Sequence, residues 1–285
     1  MTYNELWHRL VPLYTSGEAK AIVRWVLEQT FGFTLTQVLS GKVSELSPEQ
    51  EAFLEEIIIR LEKAEPVQYV LGKELFFGRT YAVERRVLIP RPETELLCQY
   101  IIDYLKQTEV PRQTILDIGT GSGCIAITLA LELHDMEIHG WDISEAALTV
   151  AKNNAKNLGA KVKFHRKDIF NASADRHKWD VIVSNPPYIC NQEKARMHPN
   201  VLQYEPDLAL FVPDNDPLKY YKAIASYAKG HLKQHGTLWL EINPVYHNDL
   251  CTMLQNTGFT AIYTLNDQQQ DLRFIKATLE NETTE

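Results

Sequence analysis

Ile115-Leu116-Asp117-Ile118-Gly119-Thr120-Gly121-Ser122-Gly123 runs from a short apolar strand into three alternating glycines and on toward a helical stretch near 124–133. Glycines at this spacing let the backbone turn tightly and approach a ligand where a helix N-terminus offers free N–H groups. The pattern G-x-G-x-G differs from the G-x-G-x-x-G of nicotinamide-binding folds, so a pyrophosphate is not the expected guest. A tight strand-to-helix turn without a ligand is the plainer alternative.

Downstream, strands are predicted at Ile115–Ile118, Glu137–Asp142, Val162–Arg166, Val181–Ser184, Thr237–Ile242, Ala261–Leu265 and Arg273–Thr278. Helical segments near 124–133, 145–158, 218–231 and 245–257 separate the earlier and middle ones. The order predicts an α/β domain over 91–285, built on an open, mainly parallel seven-stranded sheet with an antiparallel edge. Glu280–Glu285 reads as a polar tail that frays.

Upstream, residues 1–65 read as a small helical domain. Ala19, Ile22, Val23, Val26 and Leu27 recur at helical spacing in a helix that ends near Gly32. Thr34 with Gln37 forms a capping box, and Gly41 is placed to end that helix. Ser47-Pro48-Glu49-Gln50 starts another, with Phe53, Leu54, Ile57, Ile58 and Leu61 as its buried face and Glu65-Pro66 as its stop. Residues 66–90, rich in aromatic and β-branched side chains around Gly72 and Gly78, predict a β-hairpin linker.

A chain of 285 residues exceeds what one core of ~100–200 needs, which agrees with two domains. Hydrophobic residues at 45% and charged residues at 23% argue against disorder. No window reaches the ~18 apolar residues of a membrane span, and Met1-Thr2-Tyr3-Asn4-Glu5 lacks a signal-peptide pattern, so a cytoplasmic protein is expected. A net charge of −8 disfavours broad binding to a phosphate backbone. Cys98, Cys124, Cys190 and Cys251 are far apart, without zinc-ligand spacing, and read as free thiols. His231 and His235 stand four apart near a helix C-terminus without an accompanying acid, a dipole position rather than a metal site. Asp216-Pro217 before Leu218 reads as an N-cap and first turn.

Three strand ends carry the chemistry. Asp142, followed by Ile143, lies 19 residues after Gly123, where an acid beside the glycine turn accepts from both ribose hydroxyls; capping the next helix, alone or with Ser144, is the alternative. Asp168 is placed to accept from an adenine amino group, with Ile169 packing beside the ring. Asn185-Pro186-Pro187-Tyr188 follows the apolar strand Val181–Ser184. Its prolines remove two N–H donors and leave carbonyls as acceptors. The Asn185 side-chain oxygen and the Pro186 carbonyl can each take one N–H of a planar amino group, with the Tyr188 ring against its face. Such a cradle aims the nitrogen at an electrophilic methyl held on the glycine turn.

With these motifs the sequence resembles the class I, Rossmann-like methyltransferases that use S-adenosyl-L-methionine, and among them the N5-glutamine methyltransferases of peptide-chain release factors. The resemblance extends over Glu65–Gly72, Leu88-Ile89-Pro90-Arg91-Pro92-Glu93-Thr94-Glu95, the glycine turn, Asp142, Asn185–Tyr188 and Glu205–Leu210. It implies a donor site of Gly119, Thr120, Gly121, Ser122, Gly123, Asp142, Ile143, Asp168, Ile169 and Asn185. It also implies a substrate site of Asn185, Pro186, Pro187, Tyr188 and Arg91, with Asn185, Pro186 and Tyr188 catalytic and no metal. The implied substrate is the glutamine of a Gly-Gly-Gln loop, and residues 1–65 would recognise the release factor. Arg91–Glu95 also reads simply as the solvated opening turn of a helix.

Two stretches depart from the family. Glu241-Ile242-Asn243-Pro244 stands where Glu-x-Gly is usual, and Asp267–Arg273 carries glutamines where an Asp-Leu-x-Gly-x-x-Arg pattern is expected. Ile169 occupies a position where some members have an aromatic residue. The rival reading is a DNA or RNA amino-group methyltransferase, since adenine N6 and guanine N2 are planar amino groups. Residues 1–85 hold 9 Lys and Arg against 12 Asp and Glu, which leaves that part no basic excess with which to track phosphates, and direct nucleic-acid binding is not expected. A non-catalytic subunit that binds the donor would usually have lost the cradle.

Overall fold

Four capping boxes begin the chain, each with a side-chain hydroxyl accepting the backbone N–H three residues on. They are Thr2 with Glu5, Thr15 with Glu18, Thr34 with Gln37 and Ser47 with Gln50, and they start α1 (Tyr3–Leu10), α2 (Ser16–Phe31), α3 (Leu35–Leu39) and α4 (Pro48–Glu62). The computed structural model describes residues 1–108 and 111–279; the tail read at Glu280–Glu285 lies outside the described residues. It divides into two compact units, Met1–Lys73 with Met197–Tyr204, and Glu74–Arg196 with Glu205–Glu285.

In the first unit Leu6, Leu10, Val23, Leu27, Leu54 and Ile58 form one buried cluster. Arg9 forks to Glu55 at 2.7 Å and Glu62 at 2.8 Å, tying α1 to α4. Sequence reading names no helix before Ser16, so α1 is an addition. Phe53 is 52% exposed, because the stripe of Leu54, Ile57, Ile58 and Leu61 leaves it to one side of the buried face. The helix stops at Glu62, ahead of the expected Glu65-Pro66, as Ala64 turns to a φ of +62°. Residues 67–71, read as part of a hairpin, form α5 (Val67–Leu71), ended by Gly72 at a φ of +70°.

The hairpin itself is β1 (Lys73–Phe76) and β2 (Arg79–Ala82), joined by Phe77 and Gly78 with φ values of +49° and +71°. Two central residues with positive φ match the twist of paired strands. After α6 (Pro92–Thr108), the second unit alternates β3 (Thr114–Ile118), α7 (Cys124–Glu132), β4 (Glu137–Asp142), α8 (Glu145–Leu158), β5 (Val162–Arg166) and β6 (Trp179–Ser184). An excursion follows that sequence reading leaves without elements: β7 (Ile189–Cys190), α9 (Pro199–Tyr204), which belongs to the first unit, and then α10 (Asp207–Leu210) and β8 (Phe211–Val212), with β7 and β8 paired in parallel. The chain ends with α11 (Lys219–His231), β9 (Leu232–Glu241), α12 (His247–Thr257), β10 (Phe259–Asn266) and β11 (Leu272–Leu279).

The seven-stranded order is β10-β11-β9-β6-β3-β4-β5; β9 through β5 run parallel, and β11 and β10 are antiparallel, as the sequence predicts. Both faces are covered. Val181, Val183 and Trp239 join one buried cluster, while Ile182, Leu238 and Leu240 join the other. Strand order reverses at β3, so its carboxyl end and that of β6 open on one crevice, the place where doubly wound sheets hold ligands. Helix α11 starts at Lys219 after Leu218, not at Asp216-Pro217; Asp216 instead pairs with Lys222 at 2.7 Å. It ends at His231, so His235 lies in β9 and the two histidines do not share a helix face. Among the described residues no helix is long and apolar enough to cross a membrane.

Candidate active site

The glycine turn is fastened to the neighbouring strand. Gly119 and Thr120 N–H groups donate to the Trp141 carbonyl at 2.8 and 2.9 Å, and Gly121 N–H donates to Asp142 Oδ2 at 2.9 Å. Asp142 Oδ1 accepts from Ser144 N–H at 2.9 Å, while the N-cap of α8 is Ser144. Burial pushes the Asp142 carboxyl above its ordinary pKa, opposed by these backbone donors. Below the turn, fully buried Asp117 accepts from Thr120 Oγ1 at 2.6 Å, and burial raises its pKa to about 7.

The three glycines do different work. A Cβ on Gly119 meets nothing within 4 Å, and one on Gly121 meets only the Gly119 carbonyl at 4.0 Å, so the space before the turn is open. On Gly123 it would lie 2.8 Å from Ile127 Cδ1 and 3.2 Å from Ala151 Cβ. Gly123 therefore lets α7 pack against α8.

A cleft opens here, lined by Gly119, Gly121, Asp142, Ile143, Asp168, Ile169, Asn185, Pro186 and Pro187. Of the residues expected at the donor site, Thr120, Ser122 and Gly123 do not line it; the first two are buried in the turn. Asp168 oxygens accept from Phe170 N–H at 3.0 Å and Asn171 Nδ2 at 2.7 Å, capping the turn that follows. Phe170, beside Ile169, is 45% exposed with its ring 5.2 Å from that of Tyr220, and both line the cleft. It supplies an aromatic wall one residue beyond Ile169.

Tyr188 does not line the cleft. Its hydroxyl donates to Glu241 Oε1 at 3.1 Å, and Thr94 Oγ1 donates to Glu241 Oε2 at 2.7 Å. Asn185 Nδ2 in turn donates to Thr94 Oγ1 at 3.1 Å. The ring expected against the substrate amide thus stands behind Asn185–Pro187, anchored by a buried carboxylate. Arg91 is also away from the lining: its guanidinium meets buried Glu205 at 2.6 Å, whose other oxygen accepts Ile89 N–H at 3.2 Å. This pair joins two segments whose neighbours Leu88, Pro206 and Leu208 do form the wall. Sequence reading assigns no site role to Glu241, Phe170 or Leu208, and it reaches Thr94 only within Arg91–Glu95, a stretch that reads either as part of a substrate site or as the opening turn of a helix.

The departures keep an ordered backbone. Asn243 Oδ1 accepts Val245 N–H at 3.1 Å, and Asn243 Nδ2 donates to the Tyr188 carbonyl at 3.2 Å. Asp267 accepts from Gln269 N–H, Asp271 N–H and Arg273 Nε, while Gln270 takes a φ of +69° where the family has glycine.

The cleft fits S-adenosyl-L-methionine. Open space lies over Gly119 and Gly121, a carboxylate stands at the end of β4, and Ile143 and Phe170 leave apolar surface for a flat ring to cover.

Residues 94–203 match the methyltransferase small domain, and residues 8–72 match the PrmC N-terminal domain. The chain is 41% identical over 259 residues to the release factor glutamine methyltransferase of Bacteroides thetaiotaomicron, covering 90% of this chain and 92% of that one. It is 41% identical over 223 residues to the protein of the same name from Flavobacterium psychrophilum, covering 78% of each. The hMettl16 catalytic domain, solved in complex with a 3′UTR hairpin, shares the fold at a TM-score of 0.55 and 17% identity, over 78% of this chain and 83% of that one. The sheet is thus that of a Rossmann-like, S-adenosyl-L-methionine-dependent methyltransferase, and by its domains and its relatives the chain belongs to the release factor glutamine methyltransferase family.

Proposed function

We propose that this enzyme transfers a methyl group from S-adenosyl-L-methionine to the side-chain amide nitrogen, N5, of the glutamine in the Gly-Gly-Gln loop of a peptide-chain release factor. One observation carries the reading: Asn185 and Pro186 line the same cleft as Gly119, Gly121 and Asp142. An amino-group cradle and a donor site therefore open on a common space.

The donor, when bound, supplies an electrophilic methyl on a sulfonium. Gly119 and Gly121 admit its methionine part, Asp142 accepts from the ribose hydroxyls, and Ile143, Ile169 and Phe170 cover the adenine. A primary amide nitrogen is a poor nucleophile because its lone pair is delocalised into the carbonyl. Asn185 Oδ1 and the Pro186 carbonyl each accept one of its N–H groups and turn the lone pair toward the methyl. These hydrogen bonds strengthen as positive charge develops on nitrogen, so the stabilisation is greatest at the transition state. After transfer the cationic N-methyl amide is strongly acidic and gives its extra proton to solvent water.

A Gly-Gly-Gln loop has few distinguishing side chains, so selecting a whole release factor calls for a second surface, commonly ~800 Å² per partner. Residues 1–65 provide it, with exposed Leu35, Leu39 and Phe53 on a segment in which Asp and Glu outnumber Lys and Arg. The reaction belongs in the cytoplasm, where release factors act. The same cradle would suit a nucleobase amino group, but the acidic balance of residues 1–85 favours protein.

Incubation with methyl-labelled donor, offering an intact release factor in one reaction and a single-stranded oligonucleotide in another, tests the reading. Label on the protein alone is expected. Label on the oligonucleotide alone overturns it.

A further inference from the structure

Asn185 has an ambiguity built into its chemistry. Turning its carboxamide over exchanges an acceptor for a donor with little change of shape, and only the acceptor end suits a substrate N–H. We infer that Glu241 and Thr94 form a relay of fixed polarity that holds the Asn185 nitrogen away from the cleft and leaves Oδ1 for the substrate amide. The inference rests on the cradle role proposed for Asn185 and deepens it; Thr94 and Glu241 are positioning residues.

The available protons fix the direction of each bond. Thr94 is 2% exposed and Glu241 1%, so neither meets bulk water as an alternative partner. Thr94 Oγ1 has a single proton, and Glu241 Oε2 takes it at 2.7 Å. Toward Asn185, Thr94 then offers only a lone pair, and the group 3.1 Å away must be the Asn185 N–H. Tyr188 O–H holds the other Glu241 oxygen at 3.1 Å, so both carboxylate oxygens act as acceptors. Three elements meet in the relay: the first turn of α6, the end of β9 and the loop after β6.

The polarity requires an ionised Glu241. Burial pushes its pKa up to about 7; the Thr94 and Tyr188 hydroxyls and nearby Arg273 of β11 favour the charged form, and Glu93 of α6 opposes it. Cys98, Cys124 and Tyr221 also face it, and burial keeps each of them protonated. A protonated Glu241 donates a hydrogen bond of its own, which frees Thr94 to donate toward Asn185 and lets the amide turn over.

Thr94→Val preserves volume and deletes the relay atom, whereas Thr94→Ser restores it. With intact release factor as substrate, valine is expected to lower kcat ~30-fold or more, with donor affinity unchanged and KM moved less than ~3-fold, and serine to recover most of the loss. Asn185→Ala, measured in parallel, separates the two claims. A slow Asn185→Ala with a fast Thr94→Val overturns the relay alone, whereas wild-type kcat in Asn185→Ala overturns the cradle. Should Thr94→Val fail to fold, the kcat–pH profile decides: the wild type is expected to lose turnover on acidification through about pH 7, with that limb flattened in Glu241→Gln. An identical limb in both proteins overturns the part assigned to Glu241.

Discussion

Asp142 and Gly121 stand 21 residues apart, and the carboxylate of one accepts the backbone N–H of the other at 2.9 Å. The bond joins the end of β4 to the turn that ends β3, so the acid and the glycine turn are placed as one unit. Asp142→Ala removes the acid, and Gly121→Val puts a branched side chain at a φ of +56°. Each is expected to weaken S-adenosyl-L-methionine binding by at least ~1–3 kcal/mol, the scale of a lost charged hydrogen bond. Calorimetric titration measures this, and donor affinity unchanged in both variants would sink the assignment.

Gly119 and Gly123 should separate ligand contact from packing. Gly123→Ala drives a Cβ to 2.8 Å from Ile127 and 3.2 Å from Ala151 and is expected to cost ~1–3 kcal/mol of folding stability, with donor affinity of the folded protein nearly intact. Gly119→Ala points into open space, although its φ of +74° itself costs roughly 1–2 kcal/mol of stability, and of the two variants it alone should markedly weaken the donor. Denaturant unfolding paired with donor titration checks both; equal patterns for the two variants would contradict the division.

Glu241 also links stability to pH. Its folded pKa is raised to about 7 from an ordinary 4.5, so its contribution is fully present below pH 4.5 and lost as pH rises through about 7. Relative to Glu241→Gln, the wild type should therefore lose on the order of 2–3 kcal/mol between about pH 5 and about pH 8. Unfolding midpoints of the two proteins across that range supply the test. A gap independent of pH would show that Glu241 ionises normally.

The sheet was legible because its inner strands are covered on both faces and so read as largely apolar runs, with Val181–Ser184 followed by Asn185-Pro186 and Ile115–Ile118 by glycine. The helical starts at Thr34 and Ser47 were legible because a capping box is a local motif. Val67–Leu71 and the short elements between Asn191 and Val212 were not, since helices of four to six residues have too little periodicity to declare themselves. In the candidate site, the residues at strand ends could be named from sequence, but their orientations could not. Tyr188 faces Glu241 and Arg91 faces Glu205 because buried carboxylates distant in the chain claim them. The bond between Thr94 and Glu241 spans 147 residues, which no local spacing records.

Mass spectrometry of a release factor incubated with this protein and S-adenosyl-L-methionine decides whether the Gly-Gly-Gln glutamine is the methyl acceptor. Fragmentation of the peptide that contains Gly-Gly-Gln should place one added methyl on the glutamine side chain, and substitution of that glutamine should abolish it. A methyl found only at another residue, or an unmodified release factor beside a methylated oligonucleotide, would contradict the account.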